Sequence, residues 1–422
     1  MKNILAELIT IGDEILYGQI LDTNTQWMSI ALDKIGVRVI RRVTVGDEAE
    51  IILKAFEEAE ARADIILITG GLGPTSDDLT KPLLAKYFNS GISMHPQALA
   101  EVSDLFARMG RELTELNRQQ AALPEACTMI SNTLGTAPGM WFERGKKVFV
   151  SMPGVPYEMK SMMTLEILPK LQQFFTTPII YHRMIKTAGI GESWLADKIQ
   201  EWEVQLPLHI KLAYLPTLGQ VRLRLTATGT DLAELRQDVA QEVQKLLPLA
   251  GKYIYGYDQD TLEGAVGNAL KETGKTIAVA ESCTGGAVSK LITSTPGSSA
   301  YFQGSIIPYH NSLKINVLHV AKETIEEFGA VSEQTVIEMA NHVRTLMHAD
   351  IGVATSGIAG PTGGTPEKPV GTIWIAYADG EQTITKKLAY AKDREININL
   401  TCIAVLNLVR QNLEVNMEKK LG

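Results

Sequence analysis

Along the first 173 residues, short apolar runs alternate with stretches whose apolar residues recur every three or four positions. "AELITIG" precedes "NTQWMSIALDKIG", "VRVIRRVTVG" precedes "DEAEIILKAFEEAEARA", and "DIILITGG" follows as a continuous apolar run stopped by glycines. Strand and helix alternating at this spacing predict a parallel α/β sheet with helical crossovers. Helices near 80–88 and 96–109 and a last strand-turn-helix, "KKVFVSMPGVPYEMKSMM", complete the unit, which ends near 173.

The pattern then changes. Strand "IIYHRMIKTAG", helix "ESWLADKIQEWE", alternating strands "LHIKLAYLP" and "QVRLRLTATG", and helix "DLAELRQDVAQEVQKLLPLAG" predict a small α+β module over 174–255, the size of a KH or split βαβ domain. From 256 the α/β pattern returns with "TIAVAE", the glycine-led helix "GGAVSKLITS", "DIGVATSG", the pair "GTIWIAYADG" and "TITKKLAYA", and a closing helix over 393–413. The predicted fold class is therefore α/β: two three-layer domains with mainly parallel or mixed sheets, 1–173 and 256–422, joined by a KH-like module. "GGLGPT" and "GIAGPTGG" look alike, but six residues do not establish a duplication.

Length supports several domains, since 422 residues exceed what one core usually holds. A net charge of −8 argues against nucleic acid or an anionic membrane as the main partner, while small anions remain possible on backbone amides and a few cations. Cys127, Cys283 and Cys402 are too few and too widely spaced for a disulfide framework or a zinc site, which suits a reducing cytoplasm. "MKNILAELITIGDE" meets acids at once, and no run reaches membrane-spanning length, so neither secretion nor insertion is expected.

Three acidic loops carry candidate chemistry: Asp13 and Glu14 in "IGDEILYG", Asp77 and Asp78 in "TGGLGPTSDD", and Glu192 in "GIGES". Gly70, Gly71 and Gly73 let backbone approach a phosphate beyond a strand end, and Thr75 and Ser76 add hydroxyls. Neighbouring carboxylates would hold a divalent cation bridging pyrophosphate oxygens. Two plainer readings compete. Ser76, Asp77 and Asp78 also suit the N-terminus of a helix, and Asp13 and Glu14 a solvated loop.

The second candidate is "AVAESCTGG", a strand entering a tight turn and a helix starting near Thr284 or Gly285. Amides around 282–286 would hold a phosphate or an oxyanion, and Ser282 is either a nucleophile or a helix cap. Gly285 stands where an S-x-x-K lysine would be, so a base must come from "SIIPYHNSLKINVLH", with Tyr309, His310, Asn311 and Lys314. Lys314 serves if desolvation lowers its pKa, Tyr309 can relay a proton or stabilise charge, and His310 reads as structural. Cys283 is intrinsically the better nucleophile but lacks a His and Asn pair. Ser356, Gly357, Gly360 and Thr362 in "ATSGIAGPTGGTPEKPVGT" line either a phosphate or nicotinamide pocket or a long surface loop.

Taken together, "GDEILYGQILDTNT", "VGDEAEIILKAFEEAEARADIILITGGLGPTSDDLT" and "NRQQAALPE…GTAPGMW" resemble the N-terminal domain of the CinA family, related to molybdopterin-binding proteins. The resemblance implies metal-dependent hydrolysis of ADP-ribose to AMP and ribose phosphate, with Mg, Mn or Co as the cation. It puts phosphate contacts on Gly70, Gly71, Gly73 and Thr75, acidic metal-site residues at Asp13, Glu14, Asp77 and Asp78, and substrate contacts at Asn117, Arg118 and Gln119. Those last three read equally as a polar helix-to-loop junction.

"AESCTGG", "TPGSSAYFQGSIIPYHNSLK", "FGAVSEQT" and "ADIGVATSGIAGPTGGTPEKPVGT" likewise resemble the C-terminal CinA domain, similar to nicotinamide mononucleotide (NMN) deamidase. The resemblance makes Ser282 the nucleophile, activated by Tyr309 and Lys314, with Ser356 supplying a further hydroxyl and amides of Thr284, Gly285 and Gly286 holding the oxyanion. Asn311, Gly357, Gly360 and Thr362 would bind substrate, with no cofactor. The family pattern S-Y-x-N-E-A-K is broken here by Pro308, Ser312 and Leu313, while Tyr309, Asn311 and Lys314 remain. A cytoplasmic homodimer acting on NMN and ADP-ribose is the implied whole. A molybdopterin-binding module, a competence-associated nucleic-acid accessory and a cysteine amidase are its rivals.

Overall fold

The computed structural model describes residues 4–75, 77–390 and 392–413. Contacts divide the chain into two units, one covering residues 1–181 with 228–232 and the other 182–227 with 233–422.

The first unit is built on a six-stranded sheet in the order Val37–Val45, Ile4–Ile11, Ile65–Thr69, Lys147–Met152, Gly139–Arg144, Thr128–Ile130. The first four strands are parallel, and the last two pairings are antiparallel. Ile65–Thr69 is central and buried along its whole length, as its unbroken apolar run requires. Helix Ala49–Arg62 presents Ile52, Phe56 and Ala59 to one face of the sheet, together with Leu83, Leu84 and Ala98 from the next helices. Met28 and Leu32 from Thr23–Lys34, with Met159, Met162 and Leu171, fill the other face.

In the second unit a four-stranded sheet runs Ile210–Thr217, Gln220–Gly229, Ile179–Ala188, Ile254–Tyr257, flanked in sequence by helices Glu192–Val204 and Leu232–Ala250. A five-stranded mixed sheet follows, ordered Phe302–Ile306, Ile277–Glu281, Ile351–Gly357, Thr372–Ala378, Thr383–Ala389. Its first three strands are parallel, and the last two pairings are antiparallel. Helices Leu262–Thr273 and Arg394–Asn412 cover one face, and Glu333–Leu346 covers the other. Ala188 and Tyr255 of the small module belong to the same core as Val279, Val353 and Val405. The architecture is thus two three-layer α/β domains with a KH-type module between them in sequence. No helix among the described residues is long and apolar enough to cross a membrane.

Both large sheets end their parallel strands in glycine turns. Gly70, with φ +100°, follows the central strand of the first sheet, and a Cβ there would sit 2.1 Å from the Ile11 carbonyl oxygen. Gly285 and Gly286, with φ +59° and +101°, follow Ile277–Glu281 in the other.

Candidate functional site

In the first unit, the carboxyl ends of three parallel strands open into a cleft of about 460 Å³. Gly70, Gly71 and Gly73 line it, with Glu14, Asp77 and Asp78. Asp78 accepts from the Gly73 and Thr75 amides at 2.8 and 2.9 Å and from the Thr75 hydroxyl, so its oxygens stabilise the glycine loop. These bonds give Asp78 a structural task beside its expected place in the acidic metal site, and they commit the Thr75 amide and hydroxyl, too. Ser76, the other hydroxyl expected here, lies outside the described residues. The helix after this loop starts at Thr80, whose hydroxyl donates to the Gly70 carbonyl at 2.9 Å.

Sequence reasoning missed Asp47, the acid that gathers the others. The register pairs Ile11 with Val45, which brings residues 12–14 beside 46–48. Asp47 accepts from the Asp13 amide at 3.2 Å. Burial raises its pKa, and the charges of Asp13, Glu14 and Asp77 push it up further, against the Asp13 amide bond that lowers it. Asp13 itself is not in the cleft lining. No group of three His, Cys, Asp or Glu among the described residues is placed to hold a metal ion, so the expected four-acid site is not preassembled. The donor set nonetheless suits a hard cation and a polar ligand. Asn24 Oδ1, Thr69 Oγ1 and Gln120 Oε1 belong to residues lining the cleft and are buried without a hydrogen-bond partner among the described residues.

Gln120, not Gln119, is therefore the glutamine of this cleft. Gln119 lines a side cavity of about 160 Å³ shared with Thr75 and Lys81. The Asn117 amide and side chain bond to Thr114 Oγ1, an N-cap for the helix Glu115–Gln119. For Asn117 the structural reading thus describes what is found.

In the second unit, Ser282 and Lys314 meet. Lys314 Nζ donates to Ser282 Oγ at 3.1 Å, and its other partners are the carbonyls of Pro308 at 2.9 Å and Tyr309 at 3.4 Å. Ser282 is 9% exposed and Lys314 1%. Burial pulls the lysine below its ordinary value of 10.5, and the nearby Cys283 offsets this in part. An amine with no carboxylate among these partners, bonded to a hydroxyl, is equipped to take the hydroxyl proton.

Four expectations change at this site. The Tyr309 side chain is 58% exposed and its hydroxyl accepts from Arg394 at 2.9 Å, so Lys314 contacts Ser282 directly and no relay runs through the phenol. Ser356 donates to the Ala330 carbonyl at 2.6 Å. Its neighbour Thr355 instead faces the turn, with its carbonyl accepting from the Ser282 amide at 3.0 Å and its hydroxyl 2.8 Å from that of Thr284. Strand alternation sends these two residues to opposite faces. The Gly285 amide donates to the Ser282 carbonyl and the Gly286 amide to Glu281, leaving Thr284 as the amide of that trio with no acceptor among the described residues.

Glu281 explains where the helix begins. Its buried carboxylate accepts from the amides of Gly286, Val288 and Ser289 at 2.9, 3.1 and 2.8 Å and from the Ser289 hydroxyl, so the helix starts at Ala287 with Gly286 as its cap. Ser282 is released from capping. Cys283 is buried, and burial pushes its thiol up to about 12, which disfavours a thiolate nucleophile. His310 caps the helix Asn311–Asn316 through Nδ1, and Asn311 is exposed at that helix's start.

Across the turn, Arg394 donates to the Gly360 carbonyl at 2.8 Å, tying the 358–371 loop to Tyr309. No motif pointed to Arg394, which lies in the closing helix far from any glycine turn in sequence. Gly357 sits in a strand where a Cβ would meet Ile373 at 2.5 Å, a packing role, and Thr362 is exposed in the loop.

Family models match the whole architecture. Residues 7–173 match a probable molybdopterin binding domain, 182–256 the damage-inducible protein CinA KH domain, and 259–413 the CinA C-terminal domain. A CinA-like protein of Cytophaga hutchinsonii is 50% identical over 98% of this chain and 99% of its own length. The chain belongs to the CinA family. A CinA-like protein of Flavobacterium psychrophilum is 41% identical over 98% of this chain and 100% of its own length. Among solved structures, a competence/damage inducible protein from Agrobacterium tumefaciens is 35% identical and covers 36% of this CinA-family chain and 93% of its own, with a TM-score of 0.35.

Proposed function

We propose that the C-terminal domain is an NMN amidohydrolase, releasing ammonia and nicotinate mononucleotide. The 3.1 Å contact between Ser282 Oγ and Lys314 Nζ carries this reading. In it, Ser282 Oγ bonds to the carboxamide carbon as its proton passes to neutral Lys314. The Thr284 amide donates to the developing oxyanion. Lys314 returns the proton to the departing nitrogen, the C–N bond breaks, and ammonia leaves. Water then attacks the acyl ester, giving up a proton to Lys314, which passes it to Ser282 Oγ as the ester bond breaks, so that Ser282 and neutral Lys314 are restored and the acid is freed.

The N-terminal cleft, in the same proposal, hydrolyses the pyrophosphate of ADP-ribose. Glu14, Asp47 and Asp77 line the cleft and would have to draw together to hold a divalent cation, which would supply charge neutralisation at the phosphate oxygens. Asn24, Thr69 and Gln120 offer partners to the ligand's polar groups. The match to a molybdopterin-binding model favours a second reading, a phosphorylated pterin in this cleft. Metal-dependent AMP release from ADP-ribose distinguishes the two.

The decisive assay is ammonia release from NMN. Wild type releases it, Ser282→Ala loses it by at least about a thousandfold, and Cys283→Ala largely keeps it. No release by the wild type, or loss in Cys283→Ala with retention in Ser282→Ala, overturns the assignment.

A further inference from the structure

The "GIGES" turn takes part in neither site above, yet with the helix it opens it forms one wall of a cavity of about 750 Å³. The opposite wall comes from helix Arg394–Asn412, so the cavity lies inside the second unit. This volume falls within the range of small-ligand sites.

Its polar lining sets two lysines and side-chain amides beside the carboxylates of Glu192 and Asp197. Asn407 is only 6% exposed, and its Oδ1 accepts from Arg410 at 2.9 and 3.1 Å, which fixes the amide orientation. Nδ2 is thereby left facing Gly189, without a partner among the described residues. A Cβ on Gly189, whose φ is +82°, would lie 2.5 Å from that nitrogen and 3.8 Å from Gln411 Nε2. The facing helix, Glu192–Val204, is capped by Gly191 with no side-chain hydrogen bond, so its first-turn amides carry their partial positive charge uncapped. Lys198 and Lys386 also line the space. The free amide donor of the largely buried Asn407, the exposed Gln411 amide, a helix N-terminus and two ammonium groups suit a phosphate.

The remaining lining suits the rest of a nucleotide. Trp194 lines the cavity at 72% exposure, an indole face with little packed on it. Glu192 and Asp197 supply acceptors for sugar hydroxyls, and Leu400 and Ile403 an apolar floor. We propose that this cavity binds a nucleoside monophosphate, with phosphate on the Asn407 and lysine donors and base on Trp194. Such a site is separate from both hydrolytic reactions.

Hydrogen exchange on the full-length protein with 5′-AMP tests it. Protection is expected in segments 189–198 and 400–411, read separately from segments 10–24, 69–78 and 281–286 of the other sites. Trp194→Ala, an exposed position, should raise the AMP concentration for half-maximal protection of these segments at least about fivefold while leaving the other segments as in wild type. No protection at millimolar AMP, a half-maximal concentration unchanged in Trp194→Ala, or equal protection by inorganic phosphate alone would overturn the proposal.

Discussion

In the proposed reaction Ser282 and Lys314 divide the work at the C-terminal site, and burial of the lysine sets how. Desolvation disfavours its ammonium, so the amine is neutral at a lower pH than an ordinary lysine. Ammonia release is expected to rise with pH as Lys314 deprotonates and to level off below 10.5, the ordinary lysine value. Lys314→Arg keeps a cation that cannot deprotonate, so a pH profile of the variant should lose that limb and about 10²–10⁴ in rate. Retention of the limb would assign it to another group. Glu281 acts one residue away without touching Ser282. In Glu281→Gln an amide NH₂ replaces an acceptor oxygen opposite the backbone donors at 286–289, which should cost about 1–3 kcal/mol in a denaturant titration.

The elements were largely legible because their signals are local. Continuous apolar runs such as "IILIT" mark strands buried on both faces, and Gly70 and Gly286 stand where only positive φ closes the turn. What pairing alone decides was not legible. Asp47 joins Asp13 and Glu14 only through the register of two neighbouring strands, 34 residues apart in sequence. Glu281 delays to Ala287 a helix that the residue pattern begins near Thr284. Thr355 is a partial exception, since period-two alternation distinguishes it from Ser356. The loop elements also make a prediction at the N-terminal cleft. Asp47→Asn removes one of the converging charges and should raise the metal concentration for half-maximal AMP release by about tenfold or more. An unchanged metal titration would place Asp47 outside the cation's reach.

At the scale of the molecule, the two candidate sites share no residue and no sheet. One lies at the strand ends around Gly12, Gly70 and Gly154, the other around Ser282, Lys314 and Thr355, in different contact units. Coupling between reactions requires an element that both sites bias, and neither set of hydrogen bonds described above extends into the other's sheet. The two activities should therefore be lost independently. Ser282→Ala is expected to leave AMP release from ADP-ribose within about twofold of wild type, and Asp47→Asn to leave ammonia release from NMN equally unaffected, the range expected for sites without shared partners. Parallel assays of both products on both single variants and their double variant measure this. A double variant whose losses are the product of the single ones fits separate sites. A Ser282→Ala protein that also loses AMP release while keeping its wild-type melting temperature would show that the Ser282 turn reports to the cleft, and separate sites would no longer describe the protein.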